Sequence, residues 1–260
     1  MIERVHIMGI VNLTPDSFYS GSRVPEVGNA LSRIHKMLEE GADVIDLGAC
    51  STRPGAPRPS MEEEWGRLEP TLRALAASEV PALSVDTYRA EIVRRVYDVV
   101  GPYIVNDIGG GELDADMLST VGKLGLPYVA MCPACATTED ILAWFQDFSR
   151  KADAYGIREW ILDPGFGFGK TLEQNYEVLA RLDEIVKAFP QDVLVGVSRK
   201  SMIYKALGIT PEEAMPATEV IQFAALEKGA TWLRAHDVAA AVQTAKLYST
   251  IYTSSPGAAK

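Results

Sequence analysis

Ile161-Leu162-Asp163-Pro164-Gly165-Phe166-Gly167-Phe168-Gly169-Lys170 is the stretch from which the fold can be read. A short apolar run ending in Asp predicts a buried strand whose carboxylate emerges at its C-terminal end. Glycines at 165, 167 and 169 let backbone approach a ligand where side chains would stand in the way. Phe166 and Phe168 interleave them and supply walls for a planar molecule. Two phosphate motifs nearly fit and fail. The pattern G-x-x-x-x-G-K-[ST] needs Gly at 164, where Pro164 stands, and G-x-G-x-x-G needs Gly at 170, where Lys170 stands. The stretch reads as a ligand-binding turn, with a purely structural turn as the alternative.

Outward from it, short apolar runs alternate with amphipathic stretches along the whole chain. The runs fall at 5–11, 44–47, 82–85, 103–105, 128–131, 160–162, 193–197 and 231–233. Helical periodicity falls at 25–40, 61–78, 89–100, 114–125, 139–155, 172–188, 212–228 and 237–251. Strands too apolar to alternate, separated by helices, predict parallel β-structure buried on both faces. Eight βα units in 260 residues is the tally of an α/β protein built as one (β/α)8 TIM barrel, with its site at the C-terminal ends of the strands. A doubly wound open sheet is the competing arrangement, because sequence does not reveal closure. No linker or low-complexity tract interrupts the chain, so residues 1–252 are expected to form one barrel domain and 253–260 a disordered tail.

Composition narrows the function. A formal net charge of -10 argues against nucleic acid or an anionic membrane as partner, while leaving room for an anionic small molecule where cations cluster. Met1-Ile2-Glu3-Arg4-Val5-His6 lacks the charged and apolar regions of a signal peptide, and no run reaches the roughly 18 apolar residues of a membrane span. Three cysteines fit a reduced cytoplasm better than a disulfide framework. The expectation is a soluble cytoplasmic protein. Polar residues follow nearly every apolar run: Asn12, Asp46, Asp86, Asn106, Asp163, Lys200, and Arg234 with His236. In a barrel these share one rim, where such enzymes build their sites. The bland alternative for Asp86 and Asn106 is capping of the following helices.

The motifs also carry a resemblance. Gly9-Ile10-Val11-Asn12-Leu13-Thr14-Pro15-Asp16-Ser17-Phe18, Ser51-Thr52-Arg53-Pro54-Gly55, Val85-Asp86-Thr87, Val105-Asn106-Asp107-Ile108, the 163–170 turn, Ser198-Arg199-Lys200-Ser201 and Arg234-Ala235-His236-Asp237-Val238 follow in that order. Together they resemble dihydropteroate synthase, a pterin-binding TIM-barrel family of folate biosynthesis, from residue 5 to about 250.

The resemblance implies a transferase that joins 6-hydroxymethyl-7,8-dihydropterin pyrophosphate to p-aminobenzoate and releases pyrophosphate. It places the pterin on Asp86, Asn106, Ile108, Met131, Asp163, Gly167, Phe168 and Lys200, and p-aminobenzoate on Thr52, Pro54, Phe168 and Ser201. Pyrophosphate falls to Asn12, Arg53, Arg234 and His236, and the catalytic set is Asn12, Thr52, Arg53, Lys200, Arg234 and His236. It further implies Mg2+ with Asn12 as protein ligand, a homodimer, sulfonamide sensitivity and two loops over the site. The chemistry is consistent with these residues. A carboxylate meets the aminopyrimidinone edge of a pterin with paired charge-assisted hydrogen bonds. The arylamine is already nucleophilic, so the protein's task is electrostatics and placement.

Three departures stand out. Ser20 and Cys50 stand where the family often has loop acids, and Met131-Cys132-Pro133 replaces a common Met-His-Met. Cys132-Pro133-Ala134-Cys135 reads either as a redox pair or, preferentially, as a small apolar loop near the pterin floor. Two other functions compete: a methyltetrahydrofolate methyltransferase, and a non-catalytic pterin-binding paralogue.

Overall fold

The structure is a computed structural model and describes residues 4–13, 23–50, 58–78 and 81–253. Thr52, Arg53, Pro54, Ser20, Gly21 and the 254–260 tail lie outside the described residues.

Eight strands form one parallel sheet: β1 (His6–Asn12), β2 (Val44–Gly48), β3 (Leu83–Asp86), β4 (Ile104–Asp107), β5 (Tyr128–Met131), β6 (Trp160–Asp163), β7 (Leu194–Val195) and β8 (Trp232–Ala235). Their order is β6-β5-β4-β3-β2-β1-β8-β7. The two ends of that order meet. Leu162 of β6 bridges Val193 in parallel, and its N–H donates to Asp192 O at 2.8 Å. The sheet is therefore a closed barrel, and the doubly wound alternative falls.

Helices follow each strand: α1 (Arg23–Glu40), α2 (Met61–Ala76), α3 (Ala90–Val100), α4 (Met117–Leu124), α5 (Thr138–Tyr155), α6 (Leu172–Ala180), α7 (Leu182–Ala188), α8 (Ser201–Leu207), α9 (Met215–Glu227) and α10 (Val238–Thr253). Their starts follow local chemistry. Ser60, Thr137 and Thr171 each close a capping box with Glu63, Asp140 and Gln174 respectively. Two differences from the sequence reading appear. The expected 172–188 helix breaks at Arg181, whose backbone leaves the helical region (φ -108°, ψ 15°). The seven-residue α8 was not anticipated, because its two turns are too short to display a period.

A third correction concerns alternation. The strands do alternate, but between two apolar environments rather than between core and water. Ile7, Ile45, Leu47, Val85, Val105, Tyr128, Leu162 and Leu233 pack outward in the core shared with the helices. Met8, Val44, Val129, Ile161, Leu194 and Trp232, with Ile104, form a separate cluster inside the barrel. Parity thus separates lumen from shell. His6 stacks on Trp232 (centroids 4.5 Å apart) at the entry end of the strands, beneath this inner layer. Among the described residues, no helix is long and apolar enough to cross a membrane.

Candidate active site

Two residues beyond four of the inner apolar positions, the same inward parity delivers polar side chains. Val44 is followed by Asp46, Ile104 by Asn106, Ile161 by Asp163 and Trp232 by Arg234. Hydrogen bonds between strands that are not neighbours establish that these side chains meet across the lumen. Arg234 Nε donates to Asp46 Oδ2 (2.8 Å) and Nη2 donates to Asp86 Oδ2 (3.2 Å), while Asn106 Nδ2 donates to Asp46 Oδ2 (3.1 Å). Asp46 is fully buried and acts as the hub. Its other oxygen, Oδ1, has no hydrogen-bond partner among the described residues, and neither does Ser84 Oγ, which sits at the paired position on β3. Asp86 and Asn106 therefore face the lumen, and neither caps a helix: α3 begins at Arg89 without a side-chain cap.

Asp163 accepts a hydrogen bond from Gly165 N (2.8 Å), which fixes the start of the turn. Gly167, at φ +81°, has room for Lys200 because it lacks a Cβ; an added one would lie 3.0 Å from Lys200 Cδ. Lys200 Nζ donates to Phe166 O and lies 4.7 Å from the centre of the Phe168 ring. Lys170 Nζ donates to Gly165 O (3.0 Å). Gly167 N donates to Asn175 Oδ1 (2.7 Å), pinning the turn to α6. Met131 pairs in register with Asp163, half-buried Ile108 follows β4, and Ser201 opens α8 next to Lys200.

Crowding of charge in a water-poor mouth shifts the titrations. Burial pushes Asp86 up to about 7, with Arg234 pulling the other way. Burial also raises Asp163, opposed by Lys200. Lys200 and Lys170 are each pushed down to about 8 by burial, with Asp163 opposing. His236 drops to about 4, through burial and then the charge of Arg234. His236 is thus neutral at pH 7, with Nδ1 3.0 Å from Ser198 Oγ.

This refines the expected anion site. Arg234 is charged but already paired with two carboxylates, and His236 contributes hydrogen bonding rather than charge. Arg199, within the Ser-Arg-Lys-Ser motif, is used for architecture. It adopts a left-handed φ of 52° and forms a bidentate pair with Asp237 (2.8 and 2.6 Å), joining the β7 and β8 loops. Asp46 and Lys170 had no assigned role in the sequence reading; the inward parity of Asp46 was the available signal. A cavity of about 970 Å3 opens at the opposite, entry end of the barrel, but its cations already have acidic partners: Asp183 pairs with both Lys187 (2.7 Å) and Lys228 (3.3 Å), and Arg4 pairs with Asp43.

A closed (β/α)8 barrel with this mouth defines the class, and comparison with known families agrees: the model described as pterin binding enzyme matches residues 8–236. A dihydropteroate synthase of Clostridium beijerinckii is 37% identical over 253 residues, covering 94% of this chain and 93% of the relative. That of Escherichia coli K12 is 36% identical, covering 93% and 90%. A solved Xanthomonas albilineans dihydropteroate synthase with 4-aminobenzoic acid superposes with a TM-score of 0.90 at 34% identity, covering 98% of this chain and 95% of that one. A clostridial dihydropteroate synthase solved with pteroic acid gives 0.91 at 34% identity, covering 96% and 98%. The chain belongs to the dihydropteroate synthase family, transferases of folate biosynthesis.

Proposed function

We propose that the chain condenses 6-hydroxymethyl-7,8-dihydropterin pyrophosphate with p-aminobenzoate, with the residues of the barrel mouth in the following roles. The observation that carries the reading is a buried carboxylate with spare acceptor capacity. Among the described residues the Asp163 carboxylate accepts one hydrogen bond, from Gly165 N, although the residue is only 8% exposed. A donor-rich heterocycle edge answers that need, and water answers it poorly in such a site. Asn106 spends its amide N–H on Asp46, which leaves its carbonyl oxygen for a ligand N–H. Lys200 lies between the Phe166 carbonyl and the Phe168 ring, where it can turn its ammonium to the ring's acceptor side.

In the reaction the bond from the pterin methylene to oxygen breaks, and its electrons leave with pyrophosphate. The arylamine lone pair then forms the C–N bond and its proton passes to solvent. Arg234 is preorganised by Asp46 and Asp86, and neutral His236 offers a ring nitrogen beyond its Ser198 contact, so both orient the leaving group at little reorganisation cost. Phe168 and Ser201 wall the p-aminobenzoate side; the roles that the resemblance gives Thr52, Pro54 and Arg53 fall on residues outside the described ones.

Mg2+ is part of the proposal. Asn12 ends β1 with its amide oxygen 3.5 Å from where a Cβ on Gly48 would sit, and the described residues contain no cluster of three His, Cys or carboxylate groups to cage a metal. One neutral oxygen suits a cation that keeps most of its waters. When bound, such an ion screens the charge of the leaving pyrophosphate.

The reading includes a cytoplasmic homodimer sensitive to sulfonamides. Val220 on α9 and Leu247 and Tyr252 on α10 place large apolar side chains at the surface, 67%, 62% and 36% exposed, which favours a second copy there. Light scattering should give twice the 28.3 kDa chain mass. The activity itself is tested by incubating the purified chain with the pterin pyrophosphate, p-aminobenzoate and Mg2+ and following dihydropteroate. Tight pterin binding without product would overturn the reading.

A further inference from the structure

Cys132 and Cys135 stand outside every step above, yet their loop is built into the pterin-facing turn. Cys132 directly follows β5, and its N–H donates to Asp163 O (3.3 Å). Its carbonyl oxygen lies 2.8 Å from where a Cβ on Gly165 would sit, and Pro133 O lies 3.9 Å from the same point on Gly169. Gly165 in turn donates to Asp163 Oδ1 and accepts from Lys170. The Cα atoms of Cys132 and Cys135 are 5.8 Å apart, within the span of a disulfide, and the two sulfurs are bonded. Of the two readings of this loop, the placement of the two sulfurs favours the redox pair; Cys50 is free, and burial pushes its thiol up to about 12.

A bond across two intervening residues restrains the unfolded chain little, so stabilisation is not its chief effect. Cysteine pairs in a cytoplasmic setting are usually redox-active rather than structural. Both cysteines are buried, Cys132 at 0% and Cys135 at 6% exposed, so Cys135 is the residue of the pair nearer the surface.

We propose that Cys132 and Cys135 are a reversible dithiol–disulfide site for low-molecular-weight thiols and disulfides, and that the oxidised loop holds the Gly165–Gly169 turn in its pterin-binding shape. The second half rests on the pterin reading; the first does not. In the oxidising direction the Cys135 thiolate attacks a small disulfide RS–SR and expels one thiolate. The Cys132 thiolate then attacks the mixed disulfide, forms the internal bond and expels the second. Two cysteine thiols lose two protons and two electrons, and RS–SR becomes two RSH. Excess thiol reverses both steps.

The test uses the full chain equilibrated at graded ratios of oxidised to reduced glutathione, acid-quenched, unfolded and alkylated. Mass spectrometry should count one alkylated cysteine, Cys50, at the oxidising end and three at the reducing end. Affinity for 6-hydroxymethylpterin, which carries no phosphate, should be about fivefold weaker in the three-thiol form, the low end of ordinary coupling between sites. Saturating pterin should shift the redox midpoint by the same factor. Cys135→Ser should bind at the weaker level at every ratio, while Cys50→Ser should keep the response. A thiol count constant across all ratios overturns the redox site. Equal affinity of the two forms overturns the coupling. Loss of pterin binding in both forms would count against the proposed function, and the thiol count would still decide the redox site.

Discussion

The lower and upper layers of the barrel interior are made by the same strands, at the same parity, and do opposite things. Ile161 and Asp163 are two residues apart on β6, as are Trp232 and Arg234 on β8. The lower layer is apolar and closed, and its burial favours the fold. The upper layer buries Asp46, Asp86, Asn106 and Asp163, and there desolvation opposes the charges that binding requires. On β2, β4, β6 and β8 the apolar layer and the polar one are thus separated by one repeat of the pleat. The upper layer is tolerable because Arg234 pairs with two carboxylates at once and burial raises Asp86 toward its neutral form, which leaves Asp163 and Lys200 to face a ligand.

The division can be broken residue by residue. Ile161→Ala should cost about 2–5 kcal/mol of stability in chemical denaturation, with pterin affinity of the folded fraction nearly unchanged. Asp163→Ala should reverse that outcome: about a hundredfold or greater loss of pterin affinity, roughly 2.7 kcal/mol, with a melting temperature close to the parent's. If Ile161→Ala weakened binding more than folding, the separation of layers would fail.

Titration sharpens the same contrast. Lys200 drops from 10.5 to about 8 on folding, so above 8 the unfolded chain binds more protons and stability rises with pH. Lys170 acts in the same direction. Pterin affinity should move the opposite way, falling at most about tenfold per pH unit as Lys200 loses its proton. Lys200→Met should remove its own share of the stability rise and leave that of Lys170, and Lys200→Arg should remove the alkaline fall in affinity. Calorimetric melting and pterin titration at pH 7, 8, 9 and 10 would read both; parallel trends would contradict the assignment of Lys200. The smallest effect is Phe168→Ala. Loss of the ring beneath the Lys200 ammonium should weaken binding about threefold, in line with an interaction of about 0.5–1 kcal/mol, with no change in melting.

Much of this was legible in the chain. Seven of the eight strand ends announced themselves with a polar residue or a glycine turn, and the motifs placed Asp86, Asn106, Asp163, Lys200, Arg234 and His236 at one mouth. Asp46 stood among the strand-end residues without a task, because a buried hub is defined only by what crosses the lumen to reach it. Arg199 stood in the Ser198–Ser201 motif without an assigned task, and only its bidentate pair with Asp237 reveals an architectural role. Cys132 and Cys135 read as an apolar loop because pairing depends on backbone geometry.

Local order was within reach of the sequence because strands, caps and glycine turns are set by neighbouring residues and by apolar period. Those rules gave the βα alternation, the buried carboxylate of Asp163 and the turn that follows it. The tertiary structure alone decided closure through Leu162 and Val193, the sharing of Arg234 between Asp46 and Asp86, and the neutral state of His236. Each of these depends on distances between residues far apart in the chain and on how much water their meeting excludes, quantities that no local pattern encodes.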